Sequence, residues 1–217
     1  MRKHINPAIL VQTFAEYEKE IDILLQVTDE FDVDLIDWAR SPLKTLKAIE
    51  AIDLNRFAKL NFDIMMDDPR DTADLLIKSK VPNRIIVNLE SDYEVEPIIK
   101  SIKKAGIEAG ISLNPENTAE QAIPFLPYID FVQIMTIAPG AQGNPFLSAR
   151  LAISIELRDL GYDGLIGIDG GVTELTIPII KKFPIDVLSV GSSFSHVIDP
   201  SKAYKDLVEL FTSPIKD

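Results

Sequence analysis

The chain of 217 residues has no cysteine, only two histidines and a single tryptophan. Without cysteine it can form no disulfide, no zinc finger and no thiol nucleophile. Positive charge is also scarce, because 22 Lys and Arg residues stand against 34 Asp and Glu residues and leave a net charge of −12. Binding along a nucleic-acid backbone needs clustered Lys and Arg, so we expect no nucleic-acid partner.

Long apolar stretches are missing as well. The opening MRKHINPAIL has no apolar signal core, and the longest apolar runs are short, as in FVQIMTIA. We therefore expect no signal peptide, no membrane association and a cytoplasmic protein. The length fits one α/β domain and no linker interrupts it, so residues 1–217 are predicted to form a single domain. The sequence leaves the oligomeric state open, including a homo-oligomer.

Short β-rich runs alternate with amphipathic helical runs along the whole chain. The predicted strands are 4–11, 33–37, 58–66, 84–90, 108–114, 131–137, 165–169 and 187–191. The predicted helices are 14–28, 43–52, 70–80, 94–105, 118–126, 146–160, 174–182 and 200–212. A closed parallel barrel needs eight such pairs, whereas an open doubly wound sheet usually has about five or six strands. We therefore predict a (β/α)8 TIM barrel, with its chemistry at the C-terminal ends of the strands.

Glycine-bearing segments follow the last three predicted strands. They read MTIAPGAQGNPF, IGIDGGV and SVGSSF. Consecutive backbone N–H groups in such turns form anion-binding concavities, and barrels often hold phosphate after strands seven and eight. The predicted phosphate and substrate site comprises Gly140, Ala141, Gln142, Gly143, Gly170, Gly171, Gly191 and Ser192.

The same segments resemble those of ribulose-phosphate 3-epimerases. VQIMTIAPGAQGNPF is similar to the family's MTVxPGFGGQxF, IGIDGGVT to its VDGGI and VGSSFSHVIDP to its GSAIF, while NPAIL and GISLNPENT resemble PSIL and GxALxPxTP. The resemblance spans nearly the whole chain and is most specific in the C-terminal half. It implies a barrel of the ribulose-phosphate-binding type, a phosphorylated sugar as substrate and a place in the pentose phosphate pathway of carbohydrate metabolism.

The resemblance also implies a set of catalytic and metal-binding residues. The family binds a divalent metal through two histidines and two aspartates, and the aspartates also act as the acid–base pair. The aspartates match Asp34 and Asp169, while Asp32 and Asp63 stand where the family has histidine. We expect these four carboxylates to meet at the barrel mouth and to favour Mg²⁺, Mn²⁺ or another hard ion over Zn²⁺. The alternative is that they bind no metal and serve turns and helix starts.

Some other positions agree with the family pattern, and others depart from it. Met65 and Met135 match methionines that line the family's site, although core packing is the simpler role for a methionine on a strand. The serine of PSIL is Ala8, and ARSPLKT replaces the family's FVPN loop. In the second-strand motif HxDxMDG, the final glycine is Trp38. The phosphate end of the family pattern is therefore retained, and the metal end is altered.

Three functions follow from these observations. The first is an isomerase that interconverts ketopentose 5-phosphates by two-aspartate proton transfer at C3. The second is a related barrel enzyme with another reaction on a sugar phosphate, although no lysine ends a strand to support a Schiff base. The third is a non-catalytic sugar-phosphate binder that has lost the family's metal site.

Overall fold

Eight parallel strands close into a barrel in chain order, so that β1 pairs with both β2 and β8. The computed structural model describes residues 3–39, 41, 43–53, 58–138, 144–191, 194 and 197–214. The strands are β1 (His4–Ile9), β2 (Glu30–Asp37), β3 (Lys59–Met66), β4 (Pro82–Asn88), β5 (Glu108–Leu113), β6 (Phe131–Met135), β7 (Leu165–Asp169) and β8 (Val187–Val190). The predicted (β/α)8 barrel is thus confirmed, with all eight strands near their predicted positions.

Helices follow the strands on the outside of the barrel. Within the described ranges the α-helices are α1 (Phe14–Leu24), α2 (Ala48–Asp53), α3 (Arg70–Ser79), α4 (Val95–Lys104), α5 (Ala152–Asp159), α6 (Ile177–Ile180) and α7 (Pro200–Thr212). Short 3₁₀ helices are found at Ala119–Ala122, Leu126–Tyr128 and Ser148–Leu151. None of the helices in the part of the chain that the structure describes is long and apolar enough to cross a membrane.

Local signals explain several helix boundaries. Asp199 caps α7, because its carboxylate accepts a hydrogen bond from the Lys202 backbone N–H at 2.9 Å. Pro200 follows at the first helical position, where a missing N–H costs nothing. Gly106 and Gly161 lie just beyond α4 and α5 with φ of 78° and 82°, a left-handed conformation that glycine adopts readily at helix ends.

The predicted helix over 118–126 was wrong. In its place the chain forms two 3₁₀ turns, Ala119–Ala122 and Leu126–Tyr128. Pro124 and Pro127 have no backbone N–H, and their rings clash with the preceding turn, so an α-helix cannot continue through this stretch.

The predicted helices over 43–52 and 174–182 were too long. The first begins only at Ala48, because the preceding residues bond to distant backbone instead. The Thr45 N–H donates to the carbonyl of Ile36 in β2 at 3.2 Å, and the Leu46 N–H donates to the carbonyl of Val11, just beyond β1, at 3.0 Å. The second shortens to α6. Tertiary hydrogen bonds outside the helical pattern therefore decided where α2 starts.

Strand alternation separates apolar from polar side chains in β2 and β3. Val33 and Leu35 face the surrounding helices and are fully buried in the main hydrophobic core, as are Phe62 and Ile64 of β3. Burying one such side chain contributes about 1.5–3 kcal/mol, so the register of each strand is strongly specified. The intervening positions, which carry carboxylates and amides, must then face the barrel interior.

Candidate active site

Three carboxylates meet inside the barrel, in the C-terminal halves of their strands. Asp34 of β2 lies opposite Asp63 of β3 in the strand register, and Asp169 is the last residue of β7. Each offers one oxygen, and these oxygens all lie within 4.8 Å of one another. Asp34 and Asp63 are buried, whereas Asp169 is partly exposed at the barrel mouth. We call Asp34, Asp63 and Asp169 the carboxylate triad.

All three carboxyl groups of the triad have raised pKa values. Burial raises the pKa of Asp34 well above its usual range, and the neighbouring charges of Asp169, Asp63 and Asp32 raise it further. Burial and the charges of Asp169 and Asp32 do the same to the pKa of Asp63. Burial, followed by the charge of Asp32, raises the pKa of Asp169 to about 7. Close buried carboxylates cannot all ionise without compensation, so protons or a cation must balance this charge near neutral pH.

Asp32 lies deeper in the barrel than the triad and has a different set of partners. Its Oδ1 accepts hydrogen bonds from the amides of Asn6 and Asn61, each at 2.9 Å, and its Oδ2 accepts one from the Ser189 hydroxyl. Burial raises its pKa, against the lowering effect of the Ser189 and Asn61 hydrogen bonds. The structure therefore brings together three of the four predicted metal ligands and places Asp32 in a hydrogen-bonded set of its own.

Gln133 is a site residue that the sequence interpretation missed. It lies on β6 and donates a hydrogen bond of 2.6 Å from its Nε2 to the Asp63 Oδ2 atom. The same Nε2 is 3.9 Å from the Met135 sulfur. The available signal was a single amide in the otherwise apolar strand FVQIM, at the position that shares a face with Met135.

An apolar cluster adjoins the triad on the β2–β3 side. Ile36, Trp38 and Met65 are almost completely buried against one another, with Leu10 and Leu43 packed beside them. Since Ile36 and Met65 follow Asp34 and Asp63 by two residues, the cluster lies on the same strand faces, nearer the C-terminal rim. The two methionines predicted from the sequence thus lie near the carboxylates, with Met135 opposite Asp169 in the β6–β7 register.

The end of β7 makes the tight turn that the glycine pattern predicts. Gly170 and Gly171 have φ angles of 99° and 69°, which residues with a side chain rarely adopt. The Thr136 hydroxyl donates to the Asp169 and Gly170 carbonyls at 3.0 and 2.5 Å, which ties the ends of β6 and β7 together.

Of the remaining residues predicted to bind phosphate, the structure describes only Gly191. Gly191 follows β8 and lies near Ala8 of β1, with room for a methyl group on its α-carbon. The other predicted residues lie outside the described residues; they are Gly140, Ala141, Gln142, Gly143 and Ser192.

A closed barrel with acidic side chains gathered at its C-terminal mouth places the chain among the (β/α)8-barrel enzymes. A profile described as the ribulose-phosphate 3 epimerase family matches residues 4–195. The chain belongs to the ribulose-phosphate 3-epimerase family, a family of carbohydrate isomerases. The family membership that the sequence motifs indicated is therefore confirmed.

Curated relatives agree with this membership. The chain is 28% identical over 176 residues to the ribulose-phosphate 3-epimerase of Chlamydia pneumoniae, covering 76% of this chain and 75% of that protein. It is 26% identical over 211 residues to the ribulose-phosphate 3-epimerase of Bacillus subtilis, covering 94% and 97%. A relative of the same name from Aquifex aeolicus is 32% identical over 137 residues, covering 61% and 62%.

Solved structures share the fold at low sequence identity. KGPDC from Streptococcus mutans, crystallised with a sugar phosphate, superposes with a TM-score of 0.73 at 14% identity and covers 96% of this chain and 98% of that one. A 3-hexulose-6-phosphate synthase superposes with a TM-score of 0.70 at 18% identity and covers 98% and 100%. These likenesses show the barrel fold alone.

The triad fits a hard divalent cation. Its ligand atoms are all carboxylate oxygens, which suit Mg²⁺ and Mn²⁺ better than a thiophilic or imidazole-preferring ion. The Asp63 Oδ1 atom is buried and has no hydrogen-bond partner among the described residues. A buried carboxylate oxygen without a donor is costly unless a ligand satisfies it, so this atom supports a cation at the triad.

Proposed function

We propose that the chain interconverts ketopentose 5-phosphates by epimerisation at C3, with Asp34 and Asp169 as the acid–base pair. The observation that carries the proposal is the proximity of these two carboxylates, which come from β2 and β7 and lie within 4.8 Å of each other inside an epimerase-family barrel. A pKa of about 7 for Asp169 lies where a group can exchange protons at neutral pH.

The reaction needs one ionised and one protonated carboxyl group. The ionised group removes the C3 proton, and the electron pair moves into an enediolate. The protonated group then returns a proton to the opposite face of C3, so that the product is the C3 epimer and no net proton is consumed. Like charges in a buried group favour a singly protonated pair, so Asp34 and Asp169 supply both protonation states at once.

The site around the pair supports this chemistry. Asp34, Asp63 and Asp169 would hold a divalent cation such as Mg²⁺ or Mn²⁺, which when bound would stabilise negative charge on the substrate oxygens. The cluster of Ile36, Trp38 and Met65 keeps water from one side of the carboxylates. A drier site strengthens the electrostatic interactions within it.

The phosphate group of the substrate would bind at the glycine-bearing ends of β6, β7 and β8. The turn at Gly170 and Gly171 supports this placement, because glycines with positive φ let the backbone approach a ligand closely and turn N–H groups toward an anion. We assign the same role to Gly140–Gly143 and to Gly191–Ser192 from the sequence resemblance. Such a site holds the substrate by its unreactive end and leaves C3 to the triad.

The experiment is an assay of purified protein with ribulose 5-phosphate and Mn²⁺ in deuterated water. We expect formation of the C3 epimer and entry of solvent deuterium at C3. Turnover to another product would favour a different sugar-phosphate reaction. Phosphate-ligand binding without turnover or deuterium exchange would contradict the proposal and favour a non-catalytic sugar-phosphate binder.

A further inference from the structure

Gln133 is the one polar side chain of the otherwise apolar strand β6. It lies in the middle of β6 between Val132 and Ile134, and only 2% of its surface is exposed. A buried amide costs free energy unless it is hydrogen-bonded, so its retention indicates a specific partner. That partner is Asp63, which lies on the third strand and is 70 positions away in the sequence.

The hydrogen bond from Gln133 treats the two oxygens of Asp63 differently. The Oδ2 atom accepts the amide N–H at 2.6 Å, whereas the Oδ1 atom is buried and has no partner among the described residues. When a bound cation keeps Asp63 ionised, the amide turns its N–H toward the carboxylate, because the amide oxygen would be repelled. The Gln133 Oε1 atom is buried and has no partner among the described residues, so Nε2 is the atom that links this side chain to Asp63. Holding Oδ2 fixes the rotation of the carboxylate and leaves Oδ1 for a ligand.

The neutrality of the amide matters for a cation. A Lys or Arg at this position would cancel the charge of Asp63 and compete with a metal ion. Gln133 orients the carboxylate without neutralising it, so the triad keeps its full charge for a divalent ion. Asp32 shows the contrasting case: three donors satisfy both of its oxygens, and it stands outside the triad.

We infer that Gln133 is a positioning residue that sets the divalent-cation affinity of the triad by holding Asp63 in its ligating orientation. This inference rests on the cation site proposed above for Asp34, Asp63 and Asp169. A purely structural role for Gln133 would change the melting temperature and leave cation affinity intact. Positioning changes the affinity itself.

The test uses Gln133→Met, an unbranched side chain of similar length without a donor. Binding of Mn²⁺ and Mg²⁺ to the purified full chain is measured by titration calorimetry, with the electron paramagnetic resonance signal of bound Mn²⁺ as a second readout. Removing a partner of a metal ligand typically weakens metal affinity by about 10–100-fold, and we expect a loss in that range. Gln133→Asn, which keeps an amide on a shorter side chain, should show a smaller loss and serves if the methionine variant does not fold.

Ser189→Ala is the matched control. It removes a buried donor to a buried carboxylate, but that carboxylate is Asp32 and not a member of the triad. We expect a lower melting temperature and unchanged cation affinity.

Two results would overturn the inference. If the Gln133 variants fold and bind Mn²⁺ and Mg²⁺ with the wild-type dissociation constants, the positioning role of Gln133 is refuted and the cation site itself is not. A wild-type chain that binds no divalent cation would refute it together with the cation site. Neither result depends on turnover, so the epimerase proposal is judged separately by the deuterium experiment.

Discussion

Asp32 and Asp34 lie two residues apart on the same face of β2, yet only Asp34 joins the carboxylate triad. The β2–β3 register places Asp34 opposite Asp63 and Asp32 opposite Asn61, whose amide donates to Asp32. At the height of Asp34 the neighbouring β3 thus supplies a carboxylate, and at the height of Asp32 it supplies a hydrogen-bond donor. The difference between a candidate ligand and a satisfied buried acid is set by the donors that other strands bring to it, Asn61 from β3 and also Asn6 from β1 and Ser189 from β8.

Divalent cations should stabilise the folded chain. A ligand that binds only the folded state raises the melting temperature by mass action, so Mg²⁺ or Mn²⁺ should shift it upward and Zn²⁺ should show no special advantage. Asp63→Asn should reduce the shift, because the triad loses one charged ligand. Asp32→Asn is the matched comparison and should retain most of it. A melting curve that ignores every divalent ion up to millimolar levels would argue against the site.

Stability in the absence of a cation should fall as pH rises. Burial holds the pKa of Asp34, Asp63 and Asp169 above the usual 3.8 and the charges of neighbouring aspartates, including Asp32, raise it further, so that the pKa of Asp169 reaches about 7. Between these values the folded chain binds more protons than the unfolded chain, so the free energy of unfolding decreases with rising pH. Thermal unfolding in a chelator should show the decline from about pH 4 to about pH 7.

Two controls accompany the pH series. Saturating Mg²⁺ should flatten the decline, because the cation replaces the protons as the balancing charge. Asp169→Asn should flatten it as well, since one acidic group is gone and the repulsion on the other two is weaker. A chelated wild-type protein with constant stability over this range would show that the triad does not carry the proposed charge.

Either acid–base aspartate should be essential for turnover. General acid–base catalysis contributes about 10²–10⁴-fold, so Asp34→Asn and Asp169→Asn should each lower kcat by at least that range. The losses should not add in the double variant, because each change breaks the same two-base relay. Steady-state kinetics of the three variants provides the measurement, and strictly multiplicative losses would contradict a shared relay.

Gly191→Asp should abolish binding of inorganic phosphate or a sugar phosphate. The substitution adds negative charge at the proposed phosphate site, and a β-carbon on Gly191 meets its nearest neighbour, the Ala8 carbonyl oxygen, at an ordinary contact distance of 3.7 Å. Gly191→Ala is the neutral control and should still bind. Calorimetric titration with phosphate distinguishes them, and an unchanged affinity in the aspartate variant would place the phosphate elsewhere.

Trp38 should report on the site through its fluorescence. It is the only tryptophan in the chain, 1% of its surface is exposed, and it packs against Met65 next to the triad. Emission should be blue-shifted, as for a buried indole, and paramagnetic Mn²⁺ should quench it more than Mg²⁺ at equal saturation. If the two ions quench the emission equally, or neither quenches it, the cation does not bind next to Trp38.

The barrel and part of the site were predictable from local information. Alternating β-rich and helical runs predicted all eight strands, and Asp34, Asp63 and Asp169 were identified by matching the family pattern. Helix extents near Pro124 and Ala48 were predicted poorly, because proline geometry and hydrogen bonds to distant strands overrode the amphipathic pattern.

What the sequence by itself determined is the set of side chains that each strand presents, since strand alternation fixes which residues share a face. Only the tertiary structure decided which of these side chains meet. Strand register and barrel closure brought Gln133 to Asp63 across 70 positions. Among the described residues they gave Asp32 three donors and Asp63 one. Such pairings depend on the height of each residue along the barrel axis, which is a property of the closed sheet and not of any one strand.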